Sequence, residues 1–486
     1  MGLPIDLAFC QAIRQQEIGT VRLMLEKGAD VNCVDGDRTS PLMYASQLGN
    51  LDLVNLCLEF GAAPDLPGRH GLTALMVAAM AQQERVVDKL LSVGASVNLV
   101  NEDGTTALMV AAYKGSKAIV EKLLAAGATI NQSDQDQDTA LNLAIQGRHP
   151  DVVRLLLEKG ANPYQGHGGL VLAVSEQAIA CLEVLLEFGA NPNLPSGDGR
   201  TPLMHAAMTG NIEIVELLLT AGAQATFSDL DGDTALILAI EQGDEAIAER
   251  LLAAGATFPE TENVLPLAAM SGSLKLVQFL LSRSLAINGK DDAGDTALHV
   301  ATLEGHGDIV SCLLKNGAKV DLVNDQGDTP LLIAAYQNHQ AIAQQLLDRG
   351  ADINFSNDGE TTLTIAIKEQ YEQLINILID RGADPNQKLA KGKTLLMQAA
   401  DKGNLGLMNT LIAAEADVNA RDDFGATPLM WAAHRGFIDA VALLLDRVSE
   451  LDLNATNQRG DTALKIAQFN KCDAVVTFLK QKGASS

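Results

Sequence analysis

Apolar and polar positions run through this chain in short alternating blocks. Residues 231–257 read DGDTALILAIEQGDEAIAERLLAAGAT, and 293–319 read AGDTALHVATLEGHGDIVSCLLKNGAK. In the first block Leu236, Leu238, Ala239 and Ile240 follow Thr234 as one apolar run, and Ile247, Leu251 and Leu252 recur at helical spacing. The pattern predicts two short helices. Thr234 suits an N-cap, because its hydroxyl can accept an early backbone N–H. Gly243 and Gly255 suit the ends, where glycine enters the left-handed conformation at little cost. The links between blocks are polar and turn-prone: NEDG at 101–104, DLDG at 229–232, NDQG at 324–327 and NQRG at 457–460.

The first-helix leucine recurs as Leu42, Leu75, Leu108, Leu141, Leu170, Leu203, Leu236, Leu265, Leu298, Leu331, Leu363, Leu396, Leu429 and Leu464, with Phe9 in the equivalent place of an initial half-phrase. The spacings are mostly 33, with two of 29, one of 32 and one of 35. A two-helix unit this short cannot bury both faces alone. It must stack on its neighbours, so the repetition predicts a solenoid with a continuous core.

These phrases resemble the ankyrin repeat. The family's T-P-L-H-x-A opening is matched by TPLMHAA at 201–207, TPLLIAA at 329–335, TPLMWAA at 427–433 and TALHVAT at 296–302; its helix-2 ending is matched by EKGADVN at 26–32 and DRGADPN at 380–386. The resemblance spans Phe9 to Ala484 and implies an all-α ankyrin solenoid of about fifteen repeats in one continuous domain, 1–486. It further implies a non-enzymatic interaction scaffold or adaptor, with partners on the concave side built from the turns and the exposed ends of first helices.

Departures from the pattern fall near 161–189, 256–284 and 446–454. The units around Leu170 and Leu265 each lack four turn residues, which predicts short or missing turns and notches in the binding edge. Arg283, Glu415 and the extended DRVSELDLN at 446–454 replace the closing glycine, and these are expected to be the weakest joints of the stack.

Composition narrows the reading. Aromatic residues make up only 3% of the 486, so the core is built from Leu, Ala, Ile and Val. The six cysteines, Cys10, Cys33, Cys57, Cys181, Cys312 and Cys472, are scattered without a CxxC pair, as expected of buried thiols in a reducing compartment rather than a disulfide framework or zinc site. No apolar run is long enough to span a membrane, and MGLPIDLAFC lacks both a basic region and the Ser or Thr of a myristoylation signal. The chain reads as cytoplasmic, with no direct membrane insertion.

No nucleotide-binding, P-loop, zinc-protease or nucleophile-elbow motif occurs, so neither catalytic residues nor a cofactor are assigned. His299 is expected to be held by Thr296, and His205 to point into the packed face. The acidic runs DQDQD at 134–138 and DLDGD at 229–233 fail the calcium-loop pattern, which needs Gly at its sixth place and Glu at its twelfth. Met43, Met76, Met109, Met204, Met397 and Met430 each follow the key leucine and are expected to fill the core.

Net charge is −26, which disfavours nucleic acid and anionic lipid as partners. Residues 166–360 carry 8 Lys and Arg against 27 Asp and Glu, compared with 13 against 19 in 1–165 and 14 against 15 in 361–486. The concave positions selected on this reasoning are Tyr113, Met208, Asp231, Asp233, Glu241, Asp295, Leu303, Glu304, Asp325, Tyr336, Asp358, Glu360 and Phe424. Their acidity suits a protein partner with a basic surface or peptide. The alternative partner is a cytoplasmic loop of a membrane protein, since such loops are rich in Lys and Arg. Asp233, Asp295, Asp328 and Asp461 each precede a capping Thr, where the helix dipole favours a carboxylate. Glu241, Glu304 and Asp358 have no such excuse and carry the partner hypothesis.

Overall fold

In the computed structural model, residues 4–258, 264–447 and 450–485 are described. Thirty α-helices lie among them, and the chain divides into two compact units, Met1–Phe258 and Pro259–Ser486. The first unit holds eight helix pairs and the second seven. Within each unit the first helices pack on the first helices of adjacent repeats and the second helices on second helices, as Ala107–Tyr113 does between Ala74–Met80 and Ala140–Gln146. The architecture is the all-α solenoid expected. The one two-stranded pairing among the described residues is a small hairpin, Ser356–Asn357 with Glu360–Thr361.

Local chemistry explains each piece. Thr73, Thr106, Thr139, Thr201, Thr234, Thr329, Thr394, Thr427 and Thr462 sit in extended backbone and accept the N–H three residues on, as in Met109 N to Thr106 Oγ1 at 3.2 Å. Leucines of the frame are sealed inside; Leu75, Leu108, Leu236, Leu331 and Leu396 are all at most 1% exposed. Alanines beside them, such as Ala78, Ala111 and Ala239, are wholly buried and leave first helices room to approach closely.

The six methionines after the key leucine are buried as expected, but three do more than fill space. The thioether sulfurs of Met109, Met204 and Met397 accept the cap backbone N–H of Thr106, Thr201 and Thr394 at 3.3, 3.3 and 3.4 Å. They complete the reciprocal half of a capping box usually made by Glu or Gln. Thr364 does the same for Thr361 at 2.7 Å and His299 for Thr296 at 3.1 Å.

Second helices are joined by an asparagine ladder. Asn193 donates to Gly222 O at 3.0 Å and accepts from Gln224 N at 2.8 Å; Asn98 does likewise with Gly127 and Thr129, at 3.1 and 2.8 Å. Each clamp joins one repeat to the next and satisfies backbone groups that a helix end leaves open.

Several expectations need correction. The residue in the left-handed region after Leu274–Ser282 is Ser284 (φ 63°), not Arg283, which has φ −90°. Glu415 does occupy that region, at φ 61°. After first helices, glycine is less general than Gly243 suggested: Gln82, Arg148, Gln177, Asn338, Gln370 and Lys471 take the same conformation with φ between 50° and 63°. Val448 and Ser449 of the extended segment 446–454, and residues 259–263 of the segment 256–284, lie outside the described residues.

Candidate functional site

The turns are rigid fingers rather than loose loops. Several open with an Asp or Asn whose carboxyl or amide oxygen accepts backbone N–H groups two and four residues on. Asp229 Oδ1 accepts from Asp231 and Asp233 at 3.0 and 2.9 Å, and Asn324 Oδ1 from Gln326 and Asp328 at 3.1 and 2.9 Å. The remaining groups at several fingers reach the neighbouring repeat: Arg200 Nε to Asp229 Oδ2 (2.9 Å), Asn324 Nδ2 to Asp295 Oδ1 (2.9 Å) and Asn357 Nδ2 to Asp328 Oδ1 (2.8 Å). Each of these links crosses 29 residues, so several carboxylates of the acidic stretch are joints of the scaffold.

That sorts the candidate residues. In the first unit Tyr113, Asp231 and Glu241 are exposed, while Met208 and Asp233 are half-buried. Arg200 sits among the acidic residues here, paired with Asp229 and 3.6 Å from the Met208 sulfur. Burial pulls the Asp229 carboxyl upward, but the Arg200 guanidinium and the finger N–H groups outweigh it and hold it low. Burial, then Asp233, raises Glu241, and burial with Asp229 raises Asp233. The acidic patch of this unit is thus partly neutralised from within.

In the second unit Leu303, Glu304, Asp325, Asp358 and Phe424 are exposed and Asp295 is half-buried in its bond with Asn324. Glu360 is held between Tyr336 Oη at 3.0 Å and Lys368 Nζ at 2.9 Å. The Lys368 ammonium lowers the Glu360 carboxyl, and burial beside Glu360 pushes the Tyr336 hydroxyl up to about 12. Glu360 and Tyr336 are therefore occupied with each other. Among the described residues no cation lies within ion-pair distance of Glu304, Asp325 or Asp358.

The opposite surface also carries ion pairs between repeats. Second helices pair their charges across adjacent repeats: Lys122 with Asp88 at 2.7 Å, Arg154 with Glu187 at 2.5 Å, Arg381 with Asp348 at 2.7 Å and Lys482 with Asp446 at 2.8 Å. Other second-helix carboxylates of the second unit, Asp308, Glu372, Asp380 and Asp439, have no cation within ion-pair distance among the described residues.

The short turn near Leu170 does leave a notch, a cavity of about 510 Å³ between Pro163 and His205. Gly169 N closes onto Pro163 O at 2.7 Å in place of a finger, and Gly168, with φ 73°, stands where other repeats have a capping Thr. The loss is felt next door. Asn142, buried at the His299-equivalent position, has no acceptor for its amide nitrogen among the described residues. His205 was expected in the packed face, yet it is half-buried at the notch, with Nε2 3.1 Å from Ser196 Oγ. Ser196 also donates to Asp198 at 2.5 Å. The carboxylate therefore holds the serine instead of orienting the histidine, the reverse of what a nucleophilic triad requires. Burial lowers His205 further.

Among the described residues no group of three His, Cys, Asp or Glu is arranged to hold a metal ion, and no helix is long and apolar enough to cross a membrane. Cys10 and Cys33, distant in sequence, bring their sulfurs to 3.9 Å.

Sequence reasoning selected Phe424 but missed its neighbours. Phe469, Trp431, Arg459 and Lys465 line a cavity of about 440 Å³ with it. The signal was available: Phe469 follows its key leucine by five positions, as Tyr113 and Tyr336 follow theirs.

The sequence profile described as "Ankyrin repeats (3 copies)" matches residues 9–101, 80–166, 170–263, 256–324, 319–389 and 396–486. Among solved structures, the crystal structure of the human ASB11 ankyrin repeat domain is 27% identical, covering 46% of this chain and 100% of that one, with a TM-score of 0.41. No curated protein matches. With helix pairs repeated through both units and the profile matched along nearly its full length, the chain belongs to the ankyrin-repeat family, whose repeats mediate protein–protein interaction.

Proposed function

We propose that this chain is a non-catalytic interaction scaffold that recruits a basic segment of a partner protein through the finger face of its second unit. The observation that carries the reading is a set of open carboxylates on the finger face: Glu304, Asp325 and Asp358 stand exposed and without cationic partners among the described residues. They lie in the stretch 166–360, where acidic residues outnumber basic ones 27 to 8. Unpaired charge on a rigid surface speeds encounter with an oppositely charged partner and selects against acidic ones. Asp231 and Glu241 of the first unit support the same preference more weakly, because Arg200 already answers part of their field. The scattered thiols fit a cytoplasmic setting.

A salt-gradient pull-down tests this. Tagged wild-type protein and a Glu304→Lys, Asp325→Lys, Asp358→Lys bait are exposed to host lysate and, separately, to detergent-solubilised membranes. A partner rich in Lys and Arg that elutes early from wild type and is missing from the variant supports the reading; appearance only in the membrane fraction assigns the basic segment to a membrane-protein loop. A partner retained by both baits at high salt overturns it.

A further inference from the structure

At the far end of the second unit the surface chemistry reverses. Phe424 at a finger tip is 56% exposed and Phe469 at a first-helix end is 87% exposed. They flank the cavity of about 440 Å³, whose lining also includes the half-buried Trp431 and Ile466. Hydrated aromatic rings around a concavity mark a binding surface more often than a resting one. The indole is already positioned: Trp431 Nε1 donates to Asp422 Oδ2 at 3.1 Å, and the Lys393 ammonium lies 3.9 Å from the ring centroid.

The rim decides what fits. The cations Lys393 and Arg435 are answered by Asp401, at 2.7 and 2.6 Å. Arg459 and Lys465, on the lining itself, form no ion pair among the described residues, and Lys465 Nζ reaches only the carbonyl of Gly460, at 3.2 Å. Against these two cations the lining offers one carboxylate, Asp461. Such a groove repels the basic segment proposed for the acidic face.

We infer that this groove is a second, separate docking site, for a peptide segment of a partner protein that carries an aromatic anchor flanked by carboxylates. The anchor enters between Phe424 and Phe469 against Trp431, and the carboxylates meet Arg459 and Lys465. Apolar burial supplies affinity, and the charge selects the acidic sequence.

Trp431 is the only tryptophan in the chain, so its emission reports on the groove directly. The test titrates the full chain with a labelled twelve-residue peptide containing two phenylalanines among Asp and Glu, following peptide anisotropy and Trp431 emission together. Saturable binding with a change in Trp431 emission is expected. Phe469→Ser should weaken it at least tenfold, as should the pair Arg459→Glu and Lys465→Glu, and a peptide with Lys in place of each acid should not bind. Because Phe469 is almost fully exposed, its loss leaves the fold intact, which unchanged thermal unfolding verifies. Absence of binding at millimolar peptide, binding indifferent to Phe469→Ser, or equal binding of the Lys peptide would overturn the inference. So would a concentration-dependent Trp431 change without peptide that Phe469→Ser abolishes, since the occupant would then be a second copy of this chain.

Discussion

His299 Nε2 lies 3.1 Å from the main-chain carbonyl of Asp328, one repeat further on, while its Nδ1 accepts the Thr296 N–H at 3.1 Å. The ring is wholly buried, and the two contacts require the neutral tautomer with its proton on Nε2. One histidine thus caps its own helix and ties two repeats together.

Burial, only partly offset by Asp295, holds the His299 pKa below its ordinary 6.5. The unfolded chain therefore binds a proton that the folded chain refuses, and stability falls as pH drops through 6.5 toward the folded value. Thermal unfolding at pH 7.5 and pH 5.5 should show this loss. His299→Met, which installs the residue used at this position by six other repeats, should reduce the acid-side loss at a cost of about 1 kcal/mol at pH 7.5 for the lost inter-repeat hydrogen bond, the Asp328 carbonyl keeping its Asn324 N–H at 3.1 Å. Equal acid sensitivity in wild type and variant would contradict the assignment.

The sulfur contacts make a second expectation. Met109→Leu keeps volume but leaves the buried Thr106 N–H without its acceptor, whereas Met76 makes no such contact with Thr73. Denaturant unfolding should find Met109→Leu less stable than Met76→Leu by about 0.5–1 kcal/mol. Equal values would show that the thioether acts only as bulk.

Glu415 and Ser284 hold left-handed conformations where other repeats place glycine. Glu415→Gly and Ser284→Gly should each stabilise the second unit by about 0.5–1 kcal/mol, the relief of side-chain strain exceeding the added freedom of the unfolded chain. Hydrogen exchange in Leu405–Ala413 and Leu274–Ser282 reads the effect locally. Faster exchange in the glycine variants would refute it.

Legibility in the sequence followed the range of each interaction. The leucine frame, the Thr caps and the Thr296–His299 contact depend on residues at most a few positions apart, and all could be read. The short turn before Leu170 was equally plain as a deletion. The role of Asp295 was not, because its partner Asn324 lies 29 residues away and the residue looks like any helix-start carboxylate. Glu360 was misleading for the same reason: its quenching by Tyr336 and Lys368 takes two repeats to assemble. The aromatic groove joins residues from 424 to 469, and only stacking brings Phe424, Trp431 and Phe469 to one cavity.

The most direct test of the acidic face separates position from net charge. Affinity for the captured partner is measured at 50 and 300 mM salt for wild type, for the finger-face variant Glu304→Lys, Asp325→Lys, Asp358→Lys, and for a second-helix variant of equal charge change, Asp348→Lys, Asp380→Lys, Asp446→Lys. The expected result is wild-type affinity that falls at least tenfold with salt, is retained within about threefold by the second-helix variant, and is lost in the finger-face variant. Equal weakening by both variants would mean that only overall charge matters, and that the finger face is not the site.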